Sequence, residues 1–243
     1  MKRQIPNLLT LCNLICGALA AYMAAMGWLH RAALLMFCGI MFDFLDGFAA
    51  RLLKVSSPMG RELDSLADVV TSGVAPAFIL FRLLLCFQGW RYWALIAFLM
   101  PAFAAYRLAK FNLDERQHHS FLGLPVPSNA LIWASLGLCV VHPDWAQVAL
   151  LPVPGIQGIL VSSTTLIALA CLSMLTNVLM ISEVPMLGLK FSSFGWHGNE
   201  QRYILLIGAA VLIVLFGILG IALAILWYIL LSVITGCKRC SRS

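Results

Sequence analysis

The sequence predicts an all-α integral membrane protein, a polytopic helical bundle with about eight transmembrane helices. Of its 243 residues, 62% are hydrophobic and only 11% are charged, whereas a soluble domain carries roughly 25% charged residues. The apolar residues fall in continuous runs, and one span of the bilayer takes about 20 such residues. A membrane β-barrel is excluded, because its strands would alternate between apolar and polar residues.

The apolar runs define the predicted helices, and the last run is long enough for two of them. At 1.5 Å per residue, that run exceeds the ~30 Å hydrocarbon core by about half. Gly217 and Gly220 lie near its middle, so two short helices joined by a tight turn are expected. The runs are 8–28, 32–53, 66–88, 92–111, 127–142, 158–182 and 203–235. The polar stretches between them, 54–65, 112–120 and 183–202, are predicted loops.

We expect one membrane domain over residues 1–243, with catalytic helices at about 32–88 and accessory helices at about 158–235. The positive residues indicate its orientation, since cytoplasmic loops carry an excess of Lys and Arg. With the N-terminus inside, only Arg31, Arg82 and Arg91 fall outside. The thirteen inside are Lys2, Arg3, Arg51, Lys54, Arg61, Arg107, Lys110, Arg116, Lys190, Arg202, Lys238, Arg239 and Arg242. This pattern predicts two cytoplasmic termini, and it explains the net charge of +6 without a nucleic-acid partner.

A cluster of carboxylates stands out against the low overall charge. The chain has ten Asp and Glu residues, and half of them fall between positions 43 and 68. Asp43 and Asp46 share one face of a helix, and Asp64 and Asp68 share one face of the next. Charged residues at membrane depth are costly and mark functional sites. Facing carboxylates require a cation, and oxygen ligands without Cys or His favour Mg²⁺ or Mn²⁺.

The residues around these carboxylates suit a phosphate-bearing ligand. Gly47 and Ala50 leave space for a ligand near the helix backbone. Arg51 is a natural phosphate partner. The segment from Ser57 to Gly60 is predicted to turn the chain between the two helices. The alternative is a helix pair held by Asp–Arg bridges at the membrane surface, which does not explain four regularly spaced carboxylates.

The complete pattern D-x₂-D-G-x₂-A-R-x₈-G-x₃-D-x₃-D resembles the signature of the CDP-alcohol phosphotransferase family. Its fixed positions are Asp43, Asp46, Gly47, Ala50, Arg51, Gly60, Asp64 and Asp68. The resemblance implies a two-metal site in which all four aspartates bind metal and Asp68 is also the general base. It further implies that Gly47, Ala50, Arg51, Ser57 and Gly60 hold the CDP portion, that CMP leaves, and that the protein is a homodimer.

Two further stretches resemble the phosphatidylserine synthase branch of that family. One runs from Ile5 to Gly17, and the other begins at Arg107 and continues through the Gly-Leu-Pro-Val-Pro segment at 123–127. This resemblance, which covers about the first 130 residues, implies transfer of the phosphatidyl group from CDP-diacylglycerol to L-serine. Because the acceptor and CMP are water-soluble, and because the positive residues favour that side, we expect the active site to face the cytoplasm from the cell inner (cytoplasmic) membrane.

Serine carries a carboxylate, so its pocket needs a fixed cation. Arg107 and Lys110 lie at the cytoplasmic end of a predicted helix and are the candidates, although such residues also snorkel to the interface. Asn7 and Thr10 are expected to contact the cytidine or the diphosphate, and simple capping of the helix is the alternative. Glycerol 3-phosphate, inositol or an amino-alcohol as acceptor is an alternative. A cation-coupled transporter is another, but its typical inverted repeats and broken helices are not evident.

Overall fold

A computed structural model describes residues 4–55, 57–85, 92–113, 121–141, 163–188 and 199–240. This part of the chain forms eight helical stretches, which confirms the predicted all-α class. The elements are α1 (Gln4–Ala25), α2 (Leu29–Leu52), α3 (Pro58–Asp68), a π-helical segment (Val69–Val74), α4 (Ala75–Leu85), a 3₁₀ segment (Trp93–Phe98), α5 (Leu99–Leu113), β1 (Phe121–Leu122), α6 (Val126–Val141), α7 (Ser163–Ile181), β2 (Pro185–Met186), α8 (Glu200–Phe216) and α9 (Leu219–Cys240).

The helices identify a multi-pass membrane protein. Four described stretches are long and apolar enough to cross a bilayer: Gln4–Ala25, Leu29–Leu52, Pro58–Leu85 and Trp93–Leu113. Shorter apolar helices follow at Val126–Cys139, Ile167–Ile181 and Leu219–Thr235. Large apolar side chains such as Leu8, Phe44 and Ile207 are exposed on the outside of the bundle. In a bilayer, this surface contacts lipid tails instead of water.

The third helical stretch begins earlier than the sequence predicted. Residues 54–65 were expected to form a loop, but α3 already starts at Pro58. The Ser57 side chain accepts a hydrogen bond from the Gly60 backbone N–H at 3.0 Å, and proline occupies the first helical turn. Hydropathy could not reveal this start because the first turns are polar. The serine–proline pair is nevertheless a known helix-start signal.

The first helix packs along α2 and against the α3–α4 stretch. Its buried face continues through Gly17, Ala20 and Ala24. A Cβ on Gly17 would lie 2.7 Å from the Cα of Thr71, so glycine is required for this backbone approach. Small residues at membrane helix interfaces allow such close packing.

The final apolar run forms the predicted helical hairpin. Helix α8 ends at Phe216, Gly217 adopts a φ of +57°, and α9 begins at Leu219. A Cβ on Gly220 would lie 2.3 Å from the Leu212 carbonyl oxygen, so the two helices are in backbone contact at the turn.

Two short strands join loops that the sequence left without structure. Strand β1 pairs antiparallel with β2, with Phe121 opposite Met186 and Leu122 opposite Pro185. The Gly123 N–H then donates to the Val184 carbonyl at 2.9 Å. These bonds tie the α5–α6 connection to the segment that follows α7.

Candidate active site

Three of the four predicted metal-binding aspartates meet between α2 and α3. Asp43 on α2 and Asp64 and Asp68 on α3 each offer a carboxylate oxygen, and these oxygens lie within 4.8 Å of one another. Asp68 is buried, at 9% exposure. The four-residue spacing of Asp64 and Asp68 puts both on the helix face that meets α2.

The three carboxylates have the character of a cation site. In the described part of the chain, none of them forms an ion pair with Lys or Arg. Moreover, the buried Oδ1 of Asp64 has no hydrogen-bond partner. Burying negatively charged carboxylates this close together costs free energy, because they lose hydration and repel one another, unless a cation compensates their charge. An oxygen-only donor set is the kind that binds a hard divalent ion, so these residues can hold a metal.

Asp46 lies outside that group of three and has a different partner. Its Oδ2 accepts a 2.5 Å hydrogen bond from the Thr10 hydroxyl on α1. The same hydroxyl also lies 3.0 Å from the Pro6 carbonyl of its own helix. Both side chains are buried. Asp46 is therefore held by α1 at the edge of the carboxylate cluster.

A cleft of about 240 Å³ opens onto the carboxylates. Asp46 and Asp64 form part of its wall. Six of the seven residues predicted to bind CDP-diacylglycerol also line it: Asn7, Thr10, Gly47, Ala50, Ser57 and Gly60. A Cβ built on Gly47 meets no atom within 4 Å, so this glycine faces open space. The remaining lining residues are Pro6, Val55 and Arg61.

The arginine that lines the cleft is Arg61, and not Arg51 as the sequence suggested. Arg51, the predicted phosphate partner, is exposed and does not line the cleft. Its Nε donates at 3.0 Å to the Gly47 carbonyl of its own helix. Arg61 was counted only as a topological charge, but it lines the cleft. Recognising Ser57 as the cap of α3 would have placed Arg61 on the first helical turn, beside Gly60.

Asn13 is a second residue that the sequence did not assign to the site. It is fully buried, and its Nδ2 donates to Asp68 Oδ1 at 3.4 Å. It follows Thr10 by three residues on α1, so the polar stripe at positions 7, 10 and 13 was the available signal.

The predicted serine-binding cations lie at the end of α5. Arg107 is buried and donates from Nε to the Leu124 carbonyl at 2.7 Å and from Nη2 to the Leu122 carbonyl at 3.5 Å. Lys110 pairs with Glu183 at 3.2 Å. Both cations therefore have protein partners, and Arg107 fixes the segment after β1.

The same helix end is attached to α3 beside the carboxylates. The Asn112 amide donates to the Ser65 hydroxyl at 2.9 Å. Ser65 directly follows Asp64 in the sequence, so the end of α5 is fixed close to the cluster.

The chain is similar to a family of membrane enzymes and to several of its named members. The family model described as CDP-alcohol phosphatidyltransferase matches residues 3–185. A CDP-diacylglycerol–serine O-phosphatidyltransferase of Bacillus subtilis (strain 168) is 39% identical over 200 residues, covering 81% of this chain and 94% of that protein. An enzyme of the same name from Helicobacter pylori (strain J99) is 35% identical over 140 residues, covering 56% of each chain. An archaetidylserine synthase of Methanothermobacter thermautotrophicus is 32% identical over 137 residues, covering 55% of this chain and 58% of that protein.

The matched region contains α1 to α7 and therefore both the carboxylate cluster and the cleft. On the strength of this match and of the Bacillus relative, the chain belongs to the CDP-alcohol phosphatidyltransferase family.

Proposed function

We propose that this protein is a phosphatidylserine synthase, which transfers the phosphatidyl group of CDP-diacylglycerol to the hydroxyl of L-serine and releases CMP. The observation that carries the proposal is the meeting of Asp43, Asp64 and Asp68 beside an open cleft, on helices that bear the family signature. The names of the Bacillus and Helicobacter relatives support serine as the acceptor.

The cleft is the proposed site for the CDP portion of the lipid substrate. Gly47 and Ala50 give the ligand access to the surface of α2, since neither carries a bulky side chain. The Asn7 amide and the Ser57 hydroxyl supply hydrogen-bonding groups. Arg61 supplies a positive charge at the cleft wall, where a diphosphate can accept hydrogen bonds from its guanidinium. The bond from Arg51 Nε to the Gly47 carbonyl leaves its other N–H donors available to a diphosphate that reaches beyond the cleft.

Asp43, Asp64 and Asp68 are the proposed metal ligands, with Asp46 completing the set. Mg²⁺ or Mn²⁺ suits these oxygens best. When bound, a divalent metal neutralises charge on the diphosphate and stabilises the oxygen that leaves with CMP.

Asp68 is the proposed general base. As the serine oxygen attacks the phosphorus of the phosphatidyl group, the Asp68 carboxylate takes the hydroxyl proton, and the bond from phosphorus to the CMP oxygen breaks. Such a base must lie within hydrogen-bond reach of the hydroxyl, and it contributes about 10²- to 10⁴-fold to the rate. Asp68 is suited to this role because it lies one helical turn beyond Asp64, at the buried end of the cluster.

Arg107 is the proposed partner of the serine carboxylate, with Lys110 beside it. A guanidinium has five N–H donors, and the two bonds from Arg107 to Leu122 and Leu124 leave donors for a substrate. These bonds also hold the group in place. Lys110 is more exposed and is shared with Glu183.

We place the active site at the cytoplasmic face of the cell inner membrane. The cleft lies where α2 ends and α3 begins, and Arg51, Lys54 and Arg61 are found at that end. Positive residues favour the cytoplasmic side, and serine and CMP are water-soluble. A homodimer is proposed from the family resemblance, and cross-linking of the purified protein in lipid nanodiscs would test it.

Release of CMP by the purified protein is the direct test of the activity. We expect CMP and phosphatidylserine with CDP-diacylglycerol and serine, and little product with glycerol 3-phosphate or inositol. Asp68→Asn should lower turnover by at least about 10²-fold and leave CDP-diacylglycerol binding in place. Product formation with a different acceptor would contradict the serine assignment, whereas no CMP release with any acceptor would contradict the enzyme itself.

A further inference from the structure

A buried amide on α1 touches the proposed general base. Asn13 has no exposed surface, and its Nδ2 donates to Asp68 Oδ1 at 3.4 Å. This bond is at the long end of the hydrogen-bond range, and it joins residues on two different helices. Among the residues that the structure describes, Asn13 is the one whose side chain donates a hydrogen bond to Asp68.

The position of Asn13 is fixed by close contacts with two other helical stretches. The Thr71 hydroxyl, in the π-helical segment three residues after Asp68, donates to the Asn13 carbonyl at 3.0 Å. A Cβ on Gly39 of α2 would lie 3.0 Å from Asn13 Oδ1 and 2.6 Å from Thr71 Cγ2. A Cβ on Gly17 would lie close to the Thr71 hydroxyl as well. Two glycines therefore allow α1, α2 and the π-helical segment to enclose this amide.

The cost of burying Asn13 argues against a role in packing alone. Its Oδ1 has no hydrogen-bond partner, and an unpaired buried polar atom is destabilising. The same face of α1 continues through Gly17, Ala20 and Ala24, where small apolar residues suffice. The amide at position 13 is therefore explained by its donor group, and the acceptor of that donor is Asp68.

We infer that Asn13 is a positioning residue for the reaction, one that holds the Asp68 carboxylate by one oxygen and leaves the other directed to the serine hydroxyl. The inference rests on the proposed role of Asp68. An ionised carboxylate accepts through both oxygens, so one bond to Asn13 does not occupy the group. An amide is suited to this task because its N–H group donates a hydrogen bond but is too weakly acidic to transfer its proton to the base.

Asn13→Leu tests the inference because leucine has nearly the same size and no donor. We expect kcat to fall roughly 10- to 100-fold, the effect of losing one hydrogen bond to a charged group. The KM values for serine and CDP-diacylglycerol should change less than about 3-fold, because the amide acts on the base. Asn177→Leu is the matched control: Asn177 is also fully buried in a membrane helix, its amide atoms have no partner, and it lies on α7. This control should retain kcat.

The decisive measurement is the turnover rate of the double variant Asn13→Leu/Asp68→Asn, determined from radiolabelled product at high enzyme concentration. If Asn13 acts through Asp68, the double variant should be no slower than Asp68→Asn within about 3-fold. Losses that multiply, or an effect confined to KM, would overturn the inference. The Asp68→Asn arm reports separately on the proposed function, because near-normal turnover there removes Asp68 as the base.

A second variant decides the matter if Asn13→Leu does not fold. Thr71→Val removes the hydroxyl that holds the Asn13 carbonyl but leaves the amide present. We expect a smaller loss of kcat, about 3- to 10-fold, again without further loss in the Asp68→Asn background. Thermal unfolding in detergent shows whether a loss of kcat comes from a damaged fold. If the Thr71→Val protein is well folded and its loss multiplies with that of Asp68→Asn, the inference is contradicted.

Discussion

The Thr10 hydroxyl donates a 2.5 Å hydrogen bond to the Asp46 carboxylate, although the two residues lie on different helices. Both side chains are buried, and both line the cleft that opens onto the other aspartates. The bond thus connects α1 to the helix that carries the first half of the family signature. Together with the contact from Asn13 to Asp68, it makes α1 the source of hydrogen bonds to two carboxylates of the site.

Thr10→Val should weaken the use of CDP-diacylglycerol. Valine keeps the shape of the side chain but removes the side-chain donor to the buried Asp46, and a hydrogen bond to a charged group contributes about 1.5–3 kcal/mol. We expect kcat/KM for CDP-diacylglycerol to fall roughly 10-fold or more, measured by CMP release. Thr176→Val is the matched control, because that buried hydroxyl bonds to the Ser173 carbonyl of its own helix. Equal losses in both variants would contradict a specific role for Thr10.

Gly47 offers a test of the cleft that does not disturb the fold. A Cβ at this position meets no atom within 4 Å, and replacing a helical glycine by alanine is worth about 0.5–1 kcal/mol in stability. Gly47→Ala should therefore keep or raise the thermal stability. Gly47→Leu fills part of the cleft and should raise the KM for CDP-diacylglycerol by about 10-fold or more. An unchanged KM in a folded Gly47→Leu protein would show that the substrate lies elsewhere.

Removal of divalent metal should abolish activity. Asp43, Asp64 and Asp68 form an oxygen-only cluster, and such sites bind Mg²⁺ or Mn²⁺. We expect no turnover after dialysis against a chelator, recovery with either ion, and a bound Mn²⁺ signal by electron paramagnetic resonance. Asp43→Asn should raise the Mg²⁺ concentration needed for half-maximal activity. Glu62→Gln, an exposed carboxylate on α3 outside the cluster, should not. Full activity in excess chelator would rule out the metal site.

Arg107→Gln should separate substrate binding from support of the fold. If the guanidinium pairs with the serine carboxylate, the KM for serine should rise roughly 10-fold or more while the KM for CDP-diacylglycerol changes little. Lys110→Gln, which removes the exposed pair with Glu183, should have the smaller effect on serine. A parallel rise of both KM values, with lower thermal stability, would mean that Arg107 serves only the Leu122 and Leu124 carbonyls.

Gly220→Leu should destabilise the C-terminal hairpin. The added side chain would meet the backbone of α8, because even a Cβ lies 2.3 Å from the Leu212 carbonyl oxygen. We expect a lower thermal unfolding temperature in detergent and, where the protein folds, an unchanged KM for serine. A stability equal to wild type would show that the two helices separate at the turn without cost.

The sequence predicted those features that depend on spacing within one helix. Asp64 and Asp68 share a face because they are four residues apart, and the turn between α8 and α9 follows from glycines in an overlong apolar run. Contacts between helices could not be predicted in this way. Whether Asp46 meets the other aspartates or Thr10 depends on how α1 and α2 are rotated about their axes, and spacing along α2 carries no information on that rotation.

The same limit explains the two arginines and the missed asparagine. The order of residues around Gly60 could not show that Arg61 lines the cleft while Arg51 returns to its own helix, because both lie near a predicted loop. The start of α3 at Pro58 determines where Arg61 points. Asn13 was part of a visible polar stripe, but its partner lies 55 residues away. The glycines that enclose it serve close packing, which hydropathy does not measure.

The contribution of α1 to the site has a consequence for assembly in the membrane. Synthesis proceeds from the N-terminus, so Thr10 and Asn13 enter the bilayer before the carboxylates of Asp46 and Asp68. Each acidic residue then meets a hydrogen-bond donor that is already in place, which lowers the cost of bringing it to membrane depth. The helix that precedes the catalytic signature therefore supplies two hydrogen-bond donors before the acidic residues that use them are synthesised.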